Sequence, residues 1–175
     1  MAESHVCIGL IDPKSPSNVG AIMRAAGCYQ VSAVRYTGIR YDRAARFHTD
    51  TKNISLNIPL THVDNLLDEL PSNTQVVCVE LVEGATALPA FQHPPHALYI
   101  FGPEDGSLSQ ELVNRADAVV YIPTIGCMNL AATVNVVLYD RLAKSSAASG
   151  SDNLIRQSRD TNNRVMVNPP DSTTL

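Results

Sequence analysis

Asn18 and Arg24 stand in a segment with helical spacing, and Gly20, Arg24 and Gly27 share one face of it at i, i+4 and i+7. Residues without bulk on either side of an arginine leave room for a ligand or another backbone to approach its guanidinium. The competing reading is helix–sheet packing against the glycines with Arg24 solvated. Further along, Phe101-Gly102-Pro103-Glu104-Asp105-Gly106 forms a glycine turn directly behind the apolar run Ala97–Ile100. Ile122-Pro123-Thr124-Ile125-Gly126-Cys127-Met128-Asn129 forms a loop that opens a helix near Leu130. Tight loops at the carboxyl ends of strands are where an open α/β sheet binds small molecules.

A second candidate is electrostatic. Five of the thirteen basic residues are Arg35, Arg40, Arg43, Arg46 and Lys52, opposed there only by Asp42 and Asp50. A chain of net charge −4 has no uniformly positive field, but one basic segment can still grip an anionic polymer in a salt-sensitive way. An ordinary solvated arginine-rich turn is the alternative. Cys7, Cys28, Cys78 and Cys127 lack the close pairing that holds zinc, so no metal is expected. Cys7 and Cys78 sit in apolar runs and read as buried small hydrophobes, which suits a reduced cytoplasm.

The elements that must position these residues alternate strand and helix. Val6–Ile11 is a continuous apolar run, the mark of a strand covered on both faces. A helix over Asn18–Tyr29 buries Val19, Ile22, Met23 and Ala26. Strands follow at Val31–Tyr36, Gln75–Val82, Ala97–Ile100 and Ala118–Ile122, with a brief one at Ile54–Ile58. Short helices are expected at His62–Leu70 and Ser109–Arg115, and a proline-broken loop at Ala87–His96. Leu130–Leu142 is apolar over more than one helical face and must be widely buried, in the domain or against a partner. This alternation implies an α/β protein with a mainly parallel sheet flanked by helices. Residues 1–144 read as one domain and 145–175 as a polar arm or tail. With 45% apolar and 17% charged residues, no apolar run of spanning length and no secretory signal pattern, a cytoplasmic protein is expected.

No phosphate-binding lysine loop or G-x-G-x-x-G follows the first strand. Three other segments resemble, in order, the motifs of the SPOUT methyltransferases, in particular the SpoU/TrmH branch. Asn18-Val19-Gly20-Ala21-Ile22-Met23-Arg24 resembles the first motif, N-x-G-x-x-x-R. Ile100-Phe101-Gly102-Pro103-Glu104 with Leu108-Ser109, running on to Ile122-Pro123, resembles the second. Cys127-Met128-Asn129-Leu130, leading to Val137-Leu138-Tyr139-Asp140, resembles the third. The spellings are similar to those of the small tRNA wobble-position ribose methyltransferases, over residues 5 to 144.

The resemblance implies a C-terminal trefoil knot, a homodimer, and methyl transfer from S-adenosylmethionine to a ribose 2′-hydroxyl of tRNA or rRNA. It places cofactor contacts around Glu80, Gly102, Ile122, Cys127 and Met128. Arg24 matches the arginine assigned to activating the 2′-hydroxyl. A guanidinium with a pKa above about 12 is a poor base, so holding the phosphate and polarising the hydroxyl is the safer description. Asn18 would orient the ribose or Arg24, while Glu104 and Asn129 support the loops and arginine. The basic segment Arg35, Arg40, Arg43, Arg46 and Lys52 would hold RNA backbone. Departures from the pattern are Cys127 for the usual serine, a loop before it about three residues shorter than in the relatives compared, Gln30 where a glycine ends the first-motif helix, and Gly106-Ser107 before Leu108. A non-catalytic RNA-binding relative and a base methyltransferase are the alternatives.

Overall fold

The apolar runs become parallel strands buried on both sides. The computed structural model describes residues 4–45 and 58–167. Its strands are β1 (His5–Leu10), β2 (Ala33–Tyr36), β3 (Leu60–His62), β4 (Gln75–Val79), β5 (Thr86–Ala87), β6 (His96–Phe101) and β7 (Ala118–Tyr121). The helices are α1 (Pro16–Cys28), α2 (Arg40–Ala45), α3 (Gln110–Arg115), α4 (Leu130–Ala143) and α5 (Asp152–Ser158). The strands form one seven-stranded sheet in the order β3-β2-β1-β6-β4-β7-β5, and every pairing is parallel. The expected strand at Ile54–Ile58 falls almost wholly outside the described residues, as do Arg46 and Lys52.

Strand alternation divides the core into two layers. Val6, Ile8 and Leu10 of β1 and Ala97, Tyr99 and Phe101 of β6 join a cluster with Val19, Ile22 and Met23 of α1 and Val134, Val137 and Leu138 of α4. Cys7, Cys78, Leu98 and Ile100 join a second cluster with Leu66 and Leu108. A Cβ at Gly9 would lie 2.9 Å from Leu66 Cδ1, so β1 makes room for this buried leucine. Burial pushes the Cys78 thiol up to about 11, which keeps it a protonated core residue.

Helix α1 begins earlier than expected because Ser15 caps it, accepting from the Asn18 N–H with Pro16 next in line. It ends in a Schellman motif, with Val31 N–H donating to the Ala26 carbonyl and Gln30 N–H to Gly27. Gln30 therefore takes the left-handed backbone, at φ 55°, where a glycine is usual. Val31 belongs to that motif, so β2 starts only at Ala33. The helix expected at His62–Leu70 does not form. His62 ends β3, the Asn65 side chain accepts from Leu67 N–H and donates to Asp68, and Glu69 lies at φ 54°. Leu66 is nevertheless buried with Val63, Leu67 and Leu70 against it, so the apolar spacing marks burial and not helix.

At the amino end of the sheet a polar network ties the loop before β6 to α4. His93 lies 2.7 Å from the Tyr99 hydroxyl and 2.8 Å from Asp140 Oδ2. Arg141 donates to Tyr99 Oη and to the Pro94 and Pro95 carbonyls, and Lys144 donates to Asp140, Leu88 and Phe91. Because the Asp140 carboxylate can only accept, neutral His93 donates to it from Nε2, and the bare Nδ1 accepts from the Tyr99 hydroxyl. Burial lowers the His93 pKa, and that outweighs the hydrogen bond and charge of Asp140, with Arg141 and Lys144 adding to the lowering.

A folded pKa below the unfolded value of about 6.5 means stabilisation present above that value and lost as pH falls through the folded one. Unfolding free energy measured in urea is expected to drop below about pH 6.5 for this reason. In His93→Phe that slope should flatten, with about 2 kcal/mol lost at neutral pH. An unchanged slope would exclude His93 as its source. Among the described residues no helix is long and apolar enough to cross a membrane. Residues 149–167 are exposed except for partly covered Arg159, with Leu154 and Ile155 of α5 facing solvent.

Candidate active site

The carboxyl ends of β1, β6, β4 and β7 lie side by side, through the pairs Leu10–Phe101, Val79–Phe101 and Val79–Val120. Their exit loops surround a cleft of about 420 Å³, a size suited to a cofactor-sized ligand. Glu80, Gly102, Ile122, Cys127 and Met128 all line it, as do Asn18, Glu104 and Asn129. The walls mix apolar Leu81, Phe101 and Leu130 with carboxylates, and among the described residues no lysine or arginine contributes.

Hydrogen bonds join the three sequence motifs. Glu104 Oε2 accepts from Lys14 N–H at 2.9 Å, and Oε1 accepts from Ser15 N–H at 3.0 Å and from Asn18 Nδ2 at 3.1 Å. Asn18 Oδ1 in turn accepts from Asn129 Nδ2 at 3.0 Å. Asn129 Oδ1 caps α4 by accepting from Ala131 and Ala132 N–H. Each amide has one orientation that satisfies this chain, because the Glu104 carboxylate can only accept. Partial desolvation raises the Glu104 pKa, but donors from Lys14, Asn18 and Ser15 outweigh it and hold the carboxyl below its ordinary range.

Glu80 braces the opposite wall. Its oxygens accept from Leu81 N–H at 3.0 Å and Leu108 N–H at 2.9 Å. A Cβ at Gly102 would stand 3.4 Å from Glu80 Oε2, so glycine lets the strand exit pass this carboxylate closely. The short loop before Cys127 closes on itself: Thr124 N–H donates to the Ile122 carbonyl, its hydroxyl to Gly126, and Gly126 lies at φ 93°. Cys127 is exposed and Ile125 fully so.

Arg24 does not line the cleft. It lies on the exposed face of α1, roughly 9 Å along the helix axis from Asn18 at 1.5 Å per residue. Among the described residues its guanidinium has no hydrogen bond or ion pair. Gly20 and Gly27 are exposed beside it, and a Cβ at Gly20 would meet nothing within 4 Å. The glycines of this face are therefore not used for packing α1 onto its own sheet.

The basic segment is divided. Arg43 is exposed on α2, whereas Arg35 Nη1 donates to the Asp68 carbonyl at 2.8 Å. Arg40 is paired with Asp12 and Asp105, so its guanidinium is engaged within the chain. The residues missed from sequence are Val79, Leu81, Tyr121 and Thr133 in the cleft wall. Leu81 directly follows β4, so the rule that ligands sit at strand carboxyl ends could have found it. Thr133 faces the cleft one turn into α4 and carries no such signal.

A family model described as the SpoU rRNA methylase family matches residues 5–139, and the chain belongs to that family. A search of curated proteins found no match. Among solved structures, the A. aeolicus TrmH/SpoU tRNA modifying enzyme is similar at 19% identity and TM-score 0.67, over 88% of this chain and 85% of that one. A structure described by the 2-OH methylation of C/U34 on tRNA is similar at 21% identity and TM-score 0.66, over 82% of this chain and 97% of that one. The AdoMet-bound rRNA methyltransferase from Sinorhizobium meliloti is similar at 21% identity and TM-score 0.65, over 80% of this chain. The present chain spans only 56% of the length of that last protein. At these identities the likeness establishes the shared fold, a parallel sheet flanked by helices.

Proposed function

We propose that this chain is an S-adenosylmethionine-dependent RNA methyltransferase that modifies a ribose 2′-hydroxyl of tRNA or rRNA. The observation that carries the reading is the Glu104–Asn18–Asn129 chain, which links the three motif segments around one cleft. Family membership supports the methyl-transfer chemistry, and relatives described as AdoMet-bound support the donor. The cleft fits such a donor: apolar walls suit an adenine, while Glu80 and Glu104 provide a negative surround for a cationic sulfonium. When bound, the donor supplies an already activated methyl group. Contacts are assigned to Glu80 and to the loop positions Gly102, Ile122, Cys127 and Met128.

The chain's own task is alignment and proton handling, and alignment of two reactants alone can supply several kcal/mol of the barrier. Asn18, held between two partners, orients the ribose. Arg24 holds an RNA phosphate and polarises the hydroxyl. Since Arg24 stands outside its own cleft, the active unit in this reading is a homodimer in which Arg24 of one copy serves the cleft of the other. The bare face around Gly20 and the exposed Tyr139 and Leu142 of α4 support such an association. The sheet order, with β7 beside β4 and α4 returning to α1, is compatible with a trefoil knot through residues 122–129. Arg43 contributes phosphate contacts, which set position and not sequence.

The test is chemical. RNA treated with the protein and donor is digested with alkali, which cannot cleave beside a 2′-O-methyl ribose. Alkali-resistant dinucleotides carrying the new methyl group are expected. Methyl appearing only in base-modified mononucleotides would replace this reading with base methylation.

A further inference from the structure

Arg40 opens the basic segment, yet its guanidinium turns back into the chain. Nη1 lies 2.7 and 2.9 Å from the two Asp105 oxygens. Nε and Nη2 donate to the Asp12 carbonyl at 3.0 and 2.5 Å, and Nε stands 2.8 Å from Asp12 Oδ2. The backbone is shaped for this arrangement. Asp12 takes φ 39°, and Gly38, at φ 77°, lies so close to the Asp12 side chain that a Cβ there would overlap it. One side chain thus ties together the exits of β1, β2 and β6.

Asp105 faces outward from a turn whose Gly102, Pro103, Glu104 and Gly106 line the cleft. Its neighbour Glu104 holds the same turn to the Lys14 and Ser15 amides. Consecutive carboxylates therefore fix the turn from two sides, one through backbone N–H groups and the other through Arg40. Isolated exposed ion pairs contribute little. Here, however, the pair restrains a turn bounded by glycines, whose intrinsic stiffness is low. Holding it in the binding shape removes an ordering cost from ligand association.

We propose that Arg40 is a positioning residue for the methyl-donor site, fixing the 102–106 turn through Asp105 and Asp12, and not a contact to RNA. The inference rests on reading the cleft as the donor site. It is tested in the full chain with Arg40→Gln, Arg40→Lys, Asp105→Asn and the Arg40→Gln/Asp105→Asn double variant. S-adenosylmethionine affinity is measured by calorimetry, RNA affinity as a function of salt, and amide exchange over residues 102–106.

Arg40→Gln and Asp105→Asn should each weaken donor binding about tenfold. They should raise the donor KM more than they lower kcat, and the double variant should be no worse than Arg40→Gln alone. Exchange in the turn should quicken, RNA affinity and its salt slope should hold, and Arg40→Lys should recover part of the loss. Asp105→Asn keeps the test available if Arg40→Gln does not fold. Unchanged donor affinity and exchange in Asp105→Asn would overturn the proposal. So would an RNA salt slope reduced by about one in Arg40→Gln, the mark of a lost phosphate contact. If the unaltered protein binds no donor while exchange still quickens in the variants, the clamp stands and the donor-site reading falls.

Discussion

Replacing Arg24 by alanine is expected to lower methyl transfer to RNA by about a thousandfold, with donor binding and melting temperature unchanged. The guanidinium lies on the open face of α1, and no hydrogen bond or ion pair holds it to the other described residues. Truncation therefore removes no described polar contact of the fold, and surface changes of this kind fall within about 0.5 kcal/mol. In the proposed function, what is lost is the fork of donors that aligns a phosphate and polarises the hydroxyl. Arg24→Lys keeps the charge but not the fork, so it should fall between the two. Single-turnover methyl transfer, calorimetry with the donor and a thermal melt separate these effects. Full activity in Arg24→Ala would remove this residue from the mechanism.

The second large effect is expected at Glu104. Its carboxylate accepts from Lys14, Ser15 and Asn18, and through Asn18 it reaches Asn129 at the start of α4. In Glu104→Gln one acceptor oxygen becomes an NH₂ group facing an N–H donor, so at least one link must break. Methyl transfer should fall about a hundredfold because both the donor cleft and Asn18 lose their geometry. Stability should fall by about 1 kcal/mol, the scale of a hydrogen bond lost at an exposed rim. The pH dependence carries a second signature. With its folded pKa below the ordinary carboxylate value, Glu104 stabilises the fold above about pH 4.3, and the contribution disappears as pH falls through the folded pKa. The variant should lack this acid component, which urea unfolding between pH 3 and 6 would detect. Wild-type activity in Glu104→Gln would mean that the hydrogen-bonded chain is incidental to catalysis.

Periodicity revealed most strands because parallel strands buried on both faces carry continuous apolar runs, as in Val6–Leu10 and Ala97–Phe101. It misjudged residues 62–70, where the same apolar spacing buries Leu66 through a turn braced by Asn65. Local side-chain hydrogen bonds of that kind compete with helix and leave no periodic mark. The cleft was legible through the family resemblance, since its backbone-rich walls fall on the motif loops. Thr133 was not legible, because nothing local distinguishes a cleft-facing side chain from a solvated one, whereas the position of Leu81 just after β4 was a usable signal. Arg40 shows a related limit. Composition places it in a basic segment, but its partners Asp12 and Asp105 are distant in sequence and are brought to it only by the sheet order.

In the proposed function, the cleft and Arg24 together transfer methyl groups to RNA. The most direct test incubates the purified protein with bulk tRNA or rRNA and methyl-labelled S-adenosylmethionine, alongside Arg24→Ala. Label should enter RNA with the unaltered protein and fall to background with the variant, while both bind the donor equally. Donor binding by a folded protein with no label entering any RNA would contradict the claim.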